Sequence, residues 1–192
     1  MITNIKQNNN TTILALDTAS RLTGYAIYKD GAIIESGVWR LNTLRKLSDL
    51  ESRITATLTK YHITEIVAEN IYKSQDTRLQ SAFDVLSQCQ GVLRCISEKT
   101  DTPLTLIDPR RAKRAIWGYT TSNPRHKTMP RAEQKERMVR AIQRLGYTLE
   151  ADRNGNPSND QADAIGIMLT HLLAKKLPVC HPTPTNGANK AV

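Results

Sequence analysis

Residues 13–39 read ILALDTASRLTGYAIYKDGAIIESGVW, and this stretch decides the fold class. Its apolar residues fall into three segments, at 13–16, 22–28 and 32–39, and the turn pair Asp30-Gly31 separates the last two. An Asp-Gly pair between apolar-rich segments is typical of a two-residue β-hairpin. We therefore expect the chain to begin with three antiparallel strands.

The rest of the chain alternates between helical and strand patterns. Helical spacing of apolar residues is found over 44–61, 79–96, 132–145 and 158–176, and short apolar runs at 63–68 and 104–107 predict strands. We also expect a short basic helix over 109–117, a loop over 118–130, and a capping box formed by Ser158 and Gln161. This order predicts an α/β fold with a mixed five-stranded sheet, in which parallel strands are added to the three antiparallel ones and helices cover both faces.

The two ends of the chain differ in composition from this domain, which we place at residues 12–176. Residues 1–11 are polar and have no apolar stretch suited to a secretory signal, so we expect a flexible amino terminus. Residues 177–192 are rich in proline, glycine and polar types, and we expect a disordered tail. The three cysteines form no CxxC pair, and no run approaches the roughly 20 apolar residues of a membrane span. These features predict a cytoplasmic protein with reduced cysteines and without a membrane partner.

The positive charge is concentrated in one segment. The chain carries 27 Lys and Arg against 18 Asp and Glu, which gives a net charge of +9. Between residues 110 and 144, eleven basic residues are opposed only by Glu133 and Glu136, so this segment carries the whole excess. A concentration of this kind indicates an anionic partner such as nucleic acid, although a solvated basic face would leave the same pattern.

Four acidic residues stand where apolar patterning would place other residue types. Asp17 closes the first predicted strand and Glu69 closes the fourth, so both should lie at one edge of the sheet, where open α/β folds place their ligand crevice. Asp160 and Asp163 are three residues apart at the start of the last helix, so both point to the same face. If that helix packs across the sheet, all four carboxylates converge.

Carboxylates held together repel one another, and a divalent cation removes that repulsion. Magnesium prefers oxygen ligands at about 2.0–2.1 Å, and two ions about 3.5–4 Å apart can clamp the attacking and leaving oxygens of a phosphodiester. The four histidines are scattered, so the donor set points to Mg²⁺, with Mn²⁺ as a substitute, rather than to zinc. Structural interpretations stay open, because Asp160 and Asp163 can complement the helix dipole and Asp17 can belong to a turn.

At these residues the sequence resembles the RuvC family of Holliday junction resolvases. The similarity lies in ILALDTASRLTGYA at 13–26, IVAENIY at 66–72 and NDQADAIGI at 159–167, which occur in the order that the family has. It spans about residues 12–173.

The resemblance implies an RNase H-like fold, a homodimer, and symmetric paired nicking of DNA at four-way junctions by two-metal hydrolysis. It assigns Asp17, Glu69, Asp160 and Asp163 as the catalytic carboxylates that bind the metal. One metal would activate water and the other would stabilise the leaving 3′ oxygen.

The resemblance also implies a set of DNA contacts. Tyr72 falls where the family has an aromatic residue near the junction centre, although a core aromatic would fit that position as well. Lys113 matches a basic position in a short helix of the family. Lys135 is a candidate for a second family lysine, with Arg131 as a competing assignment. The residues expected to contact phosphates around the short helix are Arg110, Arg111, Lys113 and Arg114.

Other functions remain open from the sequence. The same four acids would serve a nuclease for flaps, other branched DNA or RNA–DNA hybrids. A non-catalytic junction-binding protein would predict the loss of at least one acid, and all four are present. An actin-type or sugar-kinase-type ATPase needs two such domains, and 192 residues have room for one.

Overall fold

The computed structural model describes residues 11–19, 21–71, 80–118, 120 and 122–182. Its strands are β1 (Thr12–Thr18), β2 (Leu22–Lys29), β3 (Ala32–Arg40), β4 (Glu65–Glu69) and β5 (Leu104–Ile107). Its helices are α1 (Lys46–Tyr61), α2 (Gln80–Thr100), α3 (Pro109–Trp117), α4 (Pro124–Thr128), α5 (Arg131–Arg144) and α6 (Asn159–Lys175).

The five strands form one mixed sheet in the order β3-β2-β1-β4-β5. The pairs β1–β2 and β2–β3 are antiparallel, whereas β1–β4 and β4–β5 are parallel. The mixed five-stranded sheet predicted from the sequence is therefore confirmed. The centre of the sheet is β1, and this explains why its segment is so apolar.

Alternating residues of β1 belong to two separate cores. Ile13 and Ala15 pack into a core with residues of α3, α5 and α6, while Leu14 and Leu16 pack into a second core with α1 and α2. All four side chains are completely buried. Because side chains alternate between the faces of a strand, a continuous apolar run is what a strand covered by helices on both faces requires.

The hairpin between β2 and β3 turns at the Asp30-Gly31 pair. Asp30 has φ of 49° and Gly31 has φ of 93°, the positive values that a type I′ turn needs at both central residues. A bulge follows, because Tyr28 pairs with Ile33 whereas Ile27 pairs with Glu35. The bulge leaves Ile34 unpaired and half exposed.

Two local predictions differ from the structure. The segment predicted as a loop contains α4, where the Asn123 side chain accepts a hydrogen bond from the backbone N–H of Arg125 (3.0 Å) and Pro124 occupies the first helical turn. The first helix begins at Lys46 rather than at Leu44. The side chain of Asn42 accepts a hydrogen bond from the N–H of Leu44 (2.9 Å), and this turn delays the helix.

The first residues of the expected tail lie against the domain. Tyr28 donates a hydrogen bond to the carbonyl of Pro178 (3.0 Å), and Cys180 N–H donates to the carbonyl of Gly31 (2.6 Å). Leu177 and Val179 pack against the α6 side of the core. The remainder of the tail, from residue 183, and residues 1–10 of the expected flexible amino terminus lie outside the described residues.

Within the described ranges, no helix combines the length and the apolar composition needed to cross a membrane.

Candidate active site

Asp17 and Glu69 lie side by side because their strands are parallel neighbours. Leu16 of β1 pairs with Ala68 of β4, so the next residue of each strand is the acid. Both stand at the edge of the sheet where β1 and β4 end, as predicted. The two carboxyl groups lie close enough that each affects the pKa of the other, and Asp17 is only 8% exposed.

A glycine in β2 lets the first turn of α6 reach this edge. Gly24 is the residue that pairs with Asp17 across β1 and β2. A Cβ atom on Gly24 would overlap the backbone carbonyl of Asp160. The start of α6 therefore lies directly on β2, one strand away from Asp17, and carries Asp160 and Asp163 to the same place.

The start of α6 is held by an N-cap and by a buried glutamine. Ser158 Oγ accepts a hydrogen bond from the N–H of Gln161 (3.3 Å), as half of a capping box. The other half is absent, because the Gln161 side chain accepts from the N–H of Glu150 (2.6 Å) and donates to Ser36 Oγ (2.9 Å) instead. This departure from the predicted capping box ties α6 to β3 and to the segment that precedes the helix.

The four acids line one cavity of about 210 Å³. Asp17 and Glu69 enter it from the sheet, and Asp160 and Asp163 enter it from α6. The basic residues in the same cavity wall are Lys113 from α3 and Arg131 and Lys135 from α5. Lys113 Nζ donates a hydrogen bond to Gln134 Oε1 (2.9 Å), which holds this cation at the cavity wall.

Three of the carboxyl groups in the cavity, those of Asp17, Glu69 and Asp163, are destabilised in their ionised form. Burial, followed by the charges of Asp163 and Glu69, raises the pKa of Asp17 well above its usual range. Burial and the charge of Glu69 raise the pKa of Asp163 to about 7, although Lys135 opposes the rise. Burial also raises the pKa of Glu69, while its contact with Asp17 and the charge of Lys113 act in the opposite direction. A site with these properties attracts further positive charge.

The donor set suits a divalent cation that prefers oxygen ligands. The cavity offers four carboxylates and neither histidine nor cysteine, a composition that favours Mg²⁺ or Mn²⁺ over zinc. In the described part of the chain, no three acidic, His or Cys side chains are already arranged around a point that could hold a metal ion. Asp17, Glu69, Asp160 and Asp163 are the residues that would hold such a cation.

The predicted DNA-contact residues fall into two groups. Lys113 and Lys135 line the acid cavity, and so does Arg131, the competing assignment for the second lysine. The arginines Arg110, Arg111 and Arg114 are exposed on α3 and do not line it. Tyr72 lies outside the described residues.

Sequence reasoning did not identify Gly24 and Gln134 as parts of the site. The signal for Gly24 is a glycine inside an apolar strand, which often marks a close approach of another backbone. The signal for Gln134 is weaker, because a polar residue on an amphipathic helix is common. Its partner, Lys113, lies 21 positions away in the chain.

Comparisons with known proteins identify the family of the chain. The family model for crossover junction endodeoxyribonuclease RuvC matches residues 13–171. A crossover junction endodeoxyribonuclease RuvC of Halorhodospira halophila is 28% identical over 189 residues, which cover 94% of this chain and 99% of that protein. The protein of the same name from Francisella philomiragia is 28% identical over 85% of this chain and 89% of its own length.

Solved structures share the fold. Thermus thermophilus RuvC in complex with a Holliday junction substrate has a TM-score of 0.62 at 14% identity, covering 87% of this chain and 96% of that one. Fowlpox virus resolvase, in complex with Holliday junction DNA, has a TM-score of 0.50 at 15% identity, covering 86% and 99%. Because the family model matches residues 13–171, the chain belongs to the RuvC family of crossover junction endodeoxyribonucleases.

Proposed function

We propose that this chain resolves four-way DNA junctions by metal-dependent hydrolysis at the cavity lined by Asp17, Glu69, Asp160 and Asp163. The observation that carries the proposal is the meeting of these acids, from β1, β4 and α6, in one cavity next to three basic side chains. Family membership supplies the reaction class, and named relatives in the family were solved with Holliday junction DNA.

The four carboxylates would hold the metal, which we take to be Mg²⁺ with Mn²⁺ as a substitute. When bound, such ions supply the positive charge that assists attack of water on the phosphodiester and departure of the 3′ oxygen. The protein's own contribution is position. Asp17 and Glu69 are fixed by strand pairing, and Asp160 and Asp163 are fixed by the contact of α6 with Gly24.

The basic residues would bind the DNA backbone at two distances from the acids. Lys113, Arg131 and Lys135 line the cavity itself, where they can contact the oxygens of the phosphate to be cut. Their charge also offsets part of the repulsion between the carboxylates and DNA. The exposed arginines of α3 would bind neighbouring phosphates without reading sequence.

Paired nicks in opposite strands need two copies of this site. The chain has one acid cavity among its described residues, so we propose a symmetric homodimer as the working form.

The test is cleavage of a labelled, immobile four-way junction with and without Mg²⁺. Linear duplex, flap and RNA–DNA hybrid substrates are cut in parallel. We expect magnesium-dependent nicks in opposite strands of the junction only. Equal cutting of the flap or of the hybrid would show a broader nuclease and overturn the junction selectivity.

A second readout does not depend on cutting. Because the cation relieves the repulsion between the acids, Mg²⁺ or Mn²⁺ should raise the thermal midpoint of the wild-type protein. The rise should be smaller in Asp163→Asn and unchanged in Asp101→Asn. Asp101 is a matched control, because it lies before β5 at the far end of the sheet and its φ of 51° suits asparagine. Equal rises in all three proteins would place the metal elsewhere.

A further inference from the structure

A second cavity lies next to the acid cavity, at the start of α6. Its volume is about 460 Å³, and it is bordered by the beginning of β2, the end of β3 and the segment 150–154. Asp160 lines both cavities. Lys113 and Lys135 line only the acid cavity, so α3 and α5 have no part in the second one.

Three arginines surround this second cavity. Arg21 stands just before β2, Arg40 ends β3, and Arg153 belongs to the turn before α6. All three side chains are exposed. Within the described residues, none of them forms an ion pair with a carboxylate. Their guanidinium groups are therefore available to an anionic ligand.

The same wall also holds three acids, Glu150, Asp152 and Asp160. Asp152 Oδ1 accepts hydrogen bonds from the N–H groups of Asn154 (2.7 Å) and Asn156 (2.9 Å), so it shapes its own turn. Asp160 belongs equally to the acid cavity. An oxygen of the Glu150 side chain lies against Gly37 of β3.

Part of the wall between the arginines is apolar, and Thr43, Ser158 and Asn159 are among its polar residues. Leu22 and Val38 are partly buried there, and Leu41 is 7% exposed. A partly apolar surface edged by guanidinium groups suits a sugar–phosphate unit, because arginine binds a phosphate through two parallel hydrogen bonds while the carbon atoms of the sugar pack against the apolar side chains. A volume of 460 Å³ lies within the range of small-ligand sites.

We propose that this cavity is a second strand-binding subsite, which holds the sugar–phosphate backbone of the DNA strand where it passes beyond Asp160. The inference rests on the proposed function, because it takes the scissile phosphate to lie at the four acids. A strand that crosses the acid cavity has α3 and α5 on one side and must continue past Asp160 on the other. The three arginines lie there, outside the basic segment that carries the excess charge of the sequence.

The test compares Arg21→Ala/Arg40→Ala/Arg153→Ala with wild type in binding a labelled four-way junction without divalent metal, at several salt concentrations. Removal of one cation that binds a phosphate reduces the steepness of log K against log salt by about one. We therefore expect the slope to become flatter by about two to three. The matched control is Lys29→Ala/Lys99→Ala/Lys175→Ala, which removes the same charge at the opposite end of the sheet. Its slope should stay within about one of the wild-type value.

Neutral methylphosphonate groups, placed one at a time around the cut site, identify the phosphates involved. Wild type should lose affinity at positions on both sides of the cut. In the triple arginine variant, methylphosphonate groups on one side of the cut should no longer lower the affinity. In Arg110→Ala/Arg111→Ala/Arg114→Ala, the groups on the other side should no longer lower it. Two outcomes would show that the subsite does not exist. In the first, the triple arginine variant loses affinity at the same methylphosphonate positions as wild type. In the second, the salt slope of the lysine control falls as much as that of the triple arginine variant.

Two further variants separate charge from folding. Arg21→Lys/Arg40→Lys/Arg153→Lys retains the charge and should retain most of the salt slope, and the three single alanine variants replace the triple variant if that one fails to fold. Cutting of the junction by wild type in Mg²⁺ is measured separately. If wild type cuts the junction but the triple arginine variant has an unchanged salt slope, this inference is overturned and the proposed function stands.

Discussion

Asp163 shows most clearly how a single residue is set by its surroundings. It occupies the first turns of a helix, a place where an exposed aspartate is ordinary. Burial and the nearby Glu69 nevertheless raise the pKa of its carboxyl to about 7, and Lys135 acts in the opposite direction. Contacts with other elements, rather than the helix itself, therefore set the pKa of this residue.

We expect Asp163→Asn to lower the rate of junction cleavage by about a hundredfold or more, because the amide keeps the size of the side chain and removes its charge. Binding of the junction without metal should change little, since exposed cations dominate the affinity. Single-turnover cleavage and a gel-shift titration measure the two effects. Wild-type cleavage in this variant would remove Asp163 from the mechanism.

At the scale of elements, the site depends on how α6 meets the sheet. The carbonyl of Asp160 occupies the space that a Cβ on Gly24 would need. Gln161 fixes the same turn from the other side through Glu150 and Ser36. The contact with Gly24 and the hydrogen bonds of Gln161 thus position two acids together.

Gly24→Ala should displace the start of α6 and so separate Asp160 and Asp163 from Asp17. We expect cleavage to fall by about a hundredfold and the Mg²⁺ concentration needed for half-maximal cleavage to rise, while metal-free junction binding stays within about threefold. Gly91→Ala, in α2, is the control, because a Cβ there meets nothing within 4 Å. It should stabilise the fold by about 0.5–1 kcal/mol and leave cleavage unchanged. An unaltered metal requirement in Gly24→Ala would contradict this view of the contact.

Glu65 joins three elements at the opposite end of β4. Its Oε1 accepts a hydrogen bond from Thr105 of β5 (2.7 Å), and its Oε2 lies 3.1 Å from Nε2 of His171 in α6. Burial acts to raise the pKa of Glu65, but the contacts with His171 and Thr105 outweigh it and hold the pKa below its usual range.

A carboxyl whose pKa is lowered by folding stabilises the fold above its unfolded pKa of about 4.3, and this stability is lost as the pH falls through the folded pKa. Glu65→Gln should therefore lower the free energy of unfolding by about 1–2 kcal/mol at pH 7. Denaturant unfolding should show the difference shrinking toward zero below about pH 4. A difference that is constant from pH 7 to pH 3 would mean that the charge of Glu65 contributes nothing.

On the scale of the whole molecule, positive charge is arranged around a negative site. The net charge of +9 resides in residues 110–144, which form α3, α4 and α5 in the described ranges. Part of that charge enters the acid cavity, and part lies exposed on α3.

The variant Arg110→Ala/Arg111→Ala/Arg114→Ala should weaken junction binding and lower the salt slope by about three, because it removes three phosphate contacts that read no sequence. The relative affinity for junctions of different sequence should not change. Gel-shift titrations at four salt concentrations measure both quantities. An unchanged slope would move the main DNA surface away from α3.

The proposed homodimer makes a separate prediction. Light scattering of the wild-type protein should give twice the 21.5 kDa mass of the chain. Mixing wild type with an excess of Asp163→Asn should yield junctions that are nicked in one strand only, since a mixed dimer has a single working site. A monomeric mass together with paired nicks would contradict the symmetric assembly.

The sequence by itself determined the succession of the five strands along the chain, the hairpin at Asp30-Gly31 and the presence of four acids at element ends. These features are local, because apolar periodicity, turn chemistry and capping residues act over a few neighbouring positions. Two predictions show the limit of such local rules. The segment predicted as a loop contains the helix α4. The predicted capping box is only half formed, because the Gln161 side chain forms hydrogen bonds with Glu150 and Ser36 instead.

Only the tertiary structure decided which distant residues share a wall. Lys113, Arg131 and Lys135 reach the acids because α3 and α5 pack beside α6. Arg21, Arg40 and Arg153 gather around one cavity although more than a hundred positions separate the first from the last. Sheet pairing and helix packing bring such residues together, and these long-range contacts are set by the burial of the whole core rather than by any short stretch of sequence.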